Sequence, residues 1–291
     1  MQQNICGFID LSPQKQGKLQ EVIHKYTPRH GEKHLRILVY GPVGAGKSTF
    51  INSVTSALYE RMSYEAAANT SDSDTKNGGY SDECYPFVFN DIMGMEGGDR
   101  VGIQTQDIKS AMMGHVKEGY KFNPMSPLEK GDPHYNPNPT IDDKVHVLVL
   151  MLSANSPEID RSVIQKMKEV RETARDLGIP QLAVGTHVDL SCPEIKKDIH
   201  KIYLSKILKE KVVEPCSGLP LNCIMGVKNY SEETDTDDNI DTLILIALRN
   251  MVNSGWILCA RIQQLIRSKL VQRSQLVQRS QLMQRTHLPM R

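Results

Sequence analysis

From residue 35 onward, short apolar runs alternate with amphipathic stretches. Leu35 to Tyr40 is a β-like run ending at Gly41, and Ser48 to Arg61 reads as a helix with Phe50, Ile51, Val54 and Leu58 on one face. Pro86 to Asn90 is a short strand ending at Asp91. Val145 to Leu152 is continuously apolar, as a strand buried on both sheet faces should be. Gln181 to Gly185 and Asn222 to Val227 complete the strands. Between and after them the pattern predicts helices over 103–120, 158–177, 193–213 and 240–252, the last stopping at Gly255. Strands alternating with helices of this length predict an α/β fold in three layers, a mostly parallel sheet with helices on both faces. Ligands of such sheets bind at the carboxyl ends of the strands.

Two stretches interrupt the alternation. Residues 63–84 are rich in Ser, Asn, Asp and Gly, and residues 121–143 are rich in Pro, Asn and Asp, so both read as long loops. Loops of this length are commonly functional. Residues 1–34 form a polar extension with one helix start, Ser12-Pro13, and a weak stripe of Leu19, Val22 and Ile23. Residues 35–254 make the main domain. Residues 255–291 make a tail built from near-copies of Arg-Ser-Gln-Leu-Val-Gln. A six-residue period turns a helix through about 600°, so the leucines would spiral and form no stripe.

Composition narrows the class. The chain has 291 residues, 39% hydrophobic and 24% charged, which excludes wholesale disorder. No apolar run approaches the roughly 20 residues of a spanning helix, and no secretory leader pattern opens the chain, so a cytoplasmic location is expected. The six cysteines lack C-x-x-C spacing, against zinc and against a disulfide framework. The net charge of +1 hides a step: residues 1–241 carry 27 basic against 34 acidic groups, and the last 50 residues carry eight basic groups and no acid.

The chemistry begins at Gly41-Pro-Val-Gly-Ala-Gly-Lys47-Ser48, which fits G-x-x-x-x-G-K-[ST] between a strand and a helix. Its backbone N–H groups, from Val43, Gly44, Ala45 and Gly46 through Thr49, can turn toward phosphate oxygens, with the helix N-terminus behind them. Lys47 would reach the β- and γ-phosphates, and the Ser48 hydroxyl would ligate Mg²⁺. This makes the fold a P-loop NTPase. Asp91-Ile-Met-Gly94 matches D-x-x-G, with Asp91 holding Mg²⁺ through water and Gly94 sensing the γ-phosphate. Met95 stands where Ras-like GTPases place a water-orienting glutamine, so hydrolysis is expected to be slow or to use another group. Thr186-His187-Val188-Asp189 follows a strand and is similar to [NT]-K-x-D, in which the final carboxylate accepts hydrogen bonds that guanine offers and adenine does not. A helix cap is the competing reading of Asp189. Lys228 and Asn229, after the last strand, would offer a backbone N–H to guanine O6. Thr70 and Thr75 are alternative switch threonines.

With these segments in place, the chain resembles the interferon-induced protein 44 family. The resemblance rests on residues 36–49 and 85–94, on Gly114 to Asn123, Asp142 to Val149 and Asp176 to Pro180, and on Val227-Lys-Asn-Tyr230. It spans about residues 35–253. It implies a cytosolic GTP-binding domain, with GTP and Mg²⁺ as cofactors, induced by interferon and tied to antiviral defence. Family members carry lysine in the segment where this chain has His187. The expected partners are GTP and protein effectors, a second copy among them, with no membrane span. Nucleic acid is expected only weakly, through the basic tail. Two other readings compete: an ATP-using P-loop enzyme, which lacks an L-S-G-G-Q segment and has only Arg100 for a lid, and a degenerate scaffold acting by protein contacts alone.

Overall fold

The computed structural model describes residues 11–26, 33–64, 85–98, 101–156, 158–204, 211–212, 215–216 and 218–286. Five parallel strands form one sheet in the order β2-β1-β3-β4-β5 among the described residues. They are β1 (Leu35–Tyr40), β2 (Phe87–Asp91), β3 (Val147–Ser153), β4 (Gln181–Thr186) and β5 (Ile224–Gly226). The register pairs Ile37 with both Phe87's strand neighbour Phe89 and Val147, and Leu152 with Gly185, so the strand ends after β1, β3 and β4 lie side by side.

Alternation along these strands divides the core into two layers. Leu38, Tyr40, Leu148, Leu150, Leu152 and Ala183 face one side, and Leu35, Ile37, Val39, Val147, Val149 and Met151 face the other. The first side is covered by α3 (Thr105–Met112) and α4 (Arg161–Asp176), through Ile108, Met112, Val163, Met167 and Val170. The second is covered by α1 (Pro13–His24), α2 (Lys47–Tyr59) and α7 (Asp238–Thr286), through Leu19, Ile23, Phe50, Val54, Ile244 and Leu248. Two short helices, α5 (Val188–Ser191) and α6 (Pro193–Lys197), follow β4. This is the three-layer α/β architecture that the alternation predicts, and burial on both faces explains why β3 reads as one unbroken apolar run.

Local chemistry fixes several boundaries. Ser12 caps α1, accepting from the Lys15 amide at 3.3 Å, with Pro13 in the first turn. Asp160 caps α4 by accepting from the Ser162 amide at 2.7 Å, so that helix starts at Arg161, later than its apolar pattern suggests.

The structure corrects four expectations. The helix expected over 103–120 ends at Met112, where the His115 amide returns to the Ser110 carbonyl at 2.9 Å. Of the stretch expected as one helix over 193–213, residues 205–210 and 213 lie outside the described residues; the part up to Leu204 breaks into α6 and a 3₁₀ turn, Ile199–Leu204, because the Asp198 carboxylate accepts from the His200 amide and turns the chain. The last helix does not stop at Gly255. It runs on to Thr286, so the segment beyond 255 continues a core helix. A Cβ at 255 would lie 3.0 Å from Val147 and 3.1 Å from Leu35, so this glycine lets α7 approach the sheet. The same helix also alters the membrane reading. Asp238–Lys269 is long and apolar enough to cross a membrane by length and composition alone, but half of its most apolar stretch is buried inside the protein, as in a core helix.

Candidate functional site

The carboxyl ends of β1, β2 and β4 bring the sequence motifs together. Gly41 follows β1, and α2 opens at Lys47 behind Gly46, which sits at φ 76° and gives no side-chain cap. The first amides of α2 are therefore left for an anion, and no acid occupies its first turn. Gly44 shares the left-handed conformation at φ 75°.

Lys47 is buried, 8% exposed, and its ammonium donates to the carbonyls of Gly41 at 3.4 Å and Pro42 at 3.1 Å. Burial holds its pKa below the ordinary lysine value, opposed by the charge of Asp91. A buried cation held by two neutral carbonyls is poised to gain from an anionic ligand. Ser48 donates its hydroxyl to the Asp91 carboxylate. Asp91 stands at the open edge of the site, yet the protein packed around its carboxyl raises its pKa, against the Ser48 hydrogen bond and the Lys47 charge. Ser48 and Asp91 thus present a hydroxyl and a carboxylate side by side, a donor set of oxygen atoms that fits Mg²⁺.

The D-x-x-G segment is stitched to the phosphate loop. The Met95 amide donates to the Gly41 carbonyl at 2.9 Å, and the Val43 amide donates back to the Met95 carbonyl at 3.2 Å. Gly94 lies against Val43 so closely that a Cβ there would fall 2.4 Å from the valine Cγ2. Met95 itself points into the core, 1% exposed, in the same core layer as Leu38, Tyr40 and Ile103. The position therefore presents no side chain to the phosphates.

The base-reading segments converge on Gly46. A Cβ added there would meet the Asn229 amide nitrogen at 2.9 Å, His187 Cε1 at 3.3 Å and Thr186 Oγ1 at 3.4 Å, so only glycine fits. Thr186, fully buried at the end of β4, donates its hydroxyl to the Ala45 carbonyl at 2.9 Å. Its oxygen lies 2.9 Å from His187 Nδ1. His187 holds a positive φ of 52° and opens α5. Asp189 is half-buried in the first turn of α5 and caps no backbone amide, so the helix-cap reading fails. Asn229 donates to the Gly46 carbonyl at 3.1 Å, and its own carbonyl oxygen is buried with no partner. Lys228 pairs with Glu233 at 2.7 Å. Burial raises the Glu233 carboxyl, but the Lys228 hydrogen bond and nearby amides outweigh it and bring its pKa to about 2.

Val43 to Thr49, Asp91, Gly94, Thr186, His187, Asp189, Lys228 and Asn229 thus lie along one edge of the sheet. Thr70, Thr75 and Arg100 fall outside the described residues. Sequence reasoning assigned Asn229 a backbone role and missed that its side chain holds the phosphate loop. It also missed the Thr186–Ala45 bond, for which no local signal exists across 141 residues.

No family model matches the chain. Among curated proteins, it is 31% identical to interferon-induced protein 44 of Mus musculus over 247 residues, 80% of this chain and 58% of that protein. It is 30% identical to the Homo sapiens protein of the same name over 268 residues, 86% of this chain and 58% of that one. Homo sapiens interferon-induced protein 44-like is 30% identical over 76% of this chain and 51% of its own length. The chain thus spans a little over half the length of these relatives. Among solved structures it is similar to Toc33 from Arabidopsis thaliana in complex with Mg²⁺ and GMPPNP, at 14% identity and a TM-score of 0.42, covering 83% of this chain and 91% of that one. It is also similar to sup35 complexed with GMPPNP, at 16% identity and a TM-score of 0.33, covering 76% of this chain and 45% of that one.

Proposed function

The chain is a homologue of the interferon-induced protein 44 family over most of its length, and from that premise we propose that it is a GTP-binding cytoplasmic protein of the interferon-induced antiviral response, using Mg²⁺ and working as a nucleotide-dependent interaction switch. The observation that carries this reading is the convergence of Thr186, His187 and Asn229 on Gly46, which ties the base-reading loops to the phosphate loop. When bound, Mg²⁺ would supply charge neutralisation at the β- and γ-phosphates. Ser48 and Asp91 would hold it, Lys47 would neutralise phosphate charge, and Asp189 would accept from guanine. The stitch between Met95 and the phosphate loop supports the switch. A phosphate that takes the Val43 amide would compete with its bond to the Met95 carbonyl, which couples the phosphate loop to the D-x-x-G segment.

The buried Met95 favours a second reading, a scaffold that binds nucleotide without turnover and acts by protein contacts. Effectors, including a second copy of the chain, belong to both readings.

Binding of labelled GTP and ATP, with and without Mg²⁺, tests the proposal in the wild type and in Lys47→Ala and Asp189→Asn. GTP-selective binding, lost in Lys47→Ala and no longer selective in Asp189→Asn, is expected. Equal affinity of the wild type for ATP and GTP would overturn guanine recognition. GTP bound without turnover, at any protein concentration, would leave the scaffold reading.

A further inference from the structure

The loop after β5 is braced by buried hydrogen bonds that run through Tyr230. Asn229 reaches the phosphate loop, and the next residue, Tyr230, is turned into the protein, 5% exposed. The Tyr230 amide donates to the Ser53 hydroxyl at 3.0 Å. Ser53 donates in turn to the Thr49 carbonyl at 2.8 Å, one turn earlier in α2. Tyr230 is thereby fixed to the helix that opens at Lys47.

Its phenol joins two further groups. The hydroxyl oxygen accepts from the Asp237 amide at 2.7 Å, and its proton goes to the Asp241 carboxylate at 2.7 Å. The Asp237 carbonyl stands 3.2 Å away, a more distant and uncharged acceptor. Asp237 is itself held, because its carboxylate accepts from the amides of Asn239 and Ile240 at 3.0 Å and so caps α7. The phenol therefore joins residue 230 to residue 237 and to the first turn of α7. Between them, Glu233 closes the loop by pairing with Lys228 at 2.7 Å and accepting from the Ser231 amide at 2.9 Å.

The second oxygen of Asp241 accepts from the side-chain amide of Gln16 at 3.3 Å. Gln16 and Asp241 are 8% and 1% exposed. One carboxylate thus connects α1, which lies before the strand-and-helix domain that begins at residue 35, to the residue beside Asn229. Apolar side chains could hold α1 on α7 without the desolvation cost of a buried carboxylate. Hydrogen bonds add direction, since each fixes a distance and an angle. Here they fix where Lys228 and Asn229 stand.

That placement matters for the base more than for the phosphates. A backbone N–H of Lys228 or Asn229 suits guanine O6, and adenine carries an amino group at the same position. A donor held in place both attracts guanine and penalises adenine, and a donor free to withdraw does neither. The phosphates are left to the phosphate loop and Lys47.

We infer that Tyr230 and Asp241, braced by Gln16 of α1, are positioning residues for guanine discrimination, setting the loop of Lys228 and Asn229 against the phosphate loop. This rests on the guanine-binding reading above.

The test measures the affinities of the full chain for GTP and for ATP at about pH 7.5, above the Asp241 pKa of about 6. Tyr230→Phe removes one hydroxyl and keeps the ring. It should lower GTP affinity about tenfold and leave ATP affinity unchanged, so the ratio falls by the same factor. Gln16→Met acts one bond farther from the loop and should lower the ratio about threefold. Circular dichroism identifies a variant that has not folded, and if Tyr230→Phe fails there, Gln16→Met decides alone. A selective wild type with an unchanged ratio in the folded variants would overturn this inference and leave guanine binding standing. Equal losses of GTP and ATP affinity would also overturn it, because general loosening does not distinguish the bases. A wild type that binds GTP and ATP equally would overturn the guanine reading itself, and this inference with it.

Discussion

The side-chain amide of Asn229 donates to the carbonyl of Gly46 over 3.1 Å, joining the loop after β5 to the loop that opens α2. Gly46 is also where Thr186 and His187 come closest to the phosphate loop. Asn229→Ala removes one buried hydrogen bond and should weaken GTP binding by roughly 1 kcal/mol, about fivefold, while leaving the fold intact. Gly46→Ala places a methyl group 2.9 Å from Asn229 at a φ of 76°, so binding should be lost. Equilibrium binding of a fluorescent GTP analogue to both variants checks the pair. Wild-type affinity in Gly46→Ala would refute the packing argument.

Ser48 and Asp91 meet at the open edge of the site. If they hold Mg²⁺, Asp91→Asn keeps the shape and removes the charge that attracts the ion. GTP binding by Asp91→Asn should then respond weakly to Mg²⁺, while the wild type loses affinity when Mg²⁺ is chelated. Titrations with and without chelator decide this. A variant as Mg²⁺-dependent as the wild type would remove Asp91 from the metal site.

How much of this was readable beforehand depends on whether a contact is local. The apolar run of β3 announces a strand buried on both faces; β1, legible only as a β-like run, proves buried on both as well, with Leu38 and Tyr40 on one side and Ile37 and Val39 on the other. The phosphate loop is legible because its spacing is its mechanism. Gly255 was misread because glycine near an apolar helix end usually signals a stop, and its contact with Leu35 and Val147 lies across the fold. Met95 is instructive in another way. Its place after D-x-x-G suggests a defective catalytic position, whereas its backbone bonds to Gly41 and Val43 turn the side chain into the core. Neither contact leaves a mark in the local pattern.

Stability should carry a pH signature from Asp241. This carboxylate is 1% exposed and accepts from the Tyr230 hydroxyl at 2.7 Å and the Gln16 amide at 3.3 Å. Burial lifts its pKa from 3.8 to about 6, the Tyr230 bond opposing and Asp238, Asp237 and Glu60 adding to the rise. The folded state therefore holds this proton more tightly than the unfolded chain. The resulting stability is fully present below about pH 4 and is lost as pH rises through about 6, at a cost of about 3 kcal/mol for two units. Asp241→Asn should remove this slope, so its stability relative to the wild type should be higher at pH 7.5 than at pH 4.5. Urea denaturation of both proteins at the two pH values measures it. A relative stability that is equal at both, or greater at pH 4.5, would contradict the assignment.

Met95→Gln is the substitution that sequence comparison with Ras-like GTPases would suggest for restoring hydrolysis. The structure argues otherwise. The Met95 amide and carbonyl are fixed by Gly41 and Val43, and its side chain is buried in the core layer that also holds Leu38, Tyr40 and Ile103. A glutamine there would bury an amide with no partner, at a cost of about 1–3 kcal/mol, and its amide would point away from the phosphates. We expect lower stability in urea and no gain in single-turnover GTP hydrolysis. A hydrolysis rate raised tenfold or more would mean that the segment after Gly94 turns over when nucleotide binds, bringing residue 95 out of the core. Without such a gain, any water-orienting group must come from a residue other than 95 or from a partner.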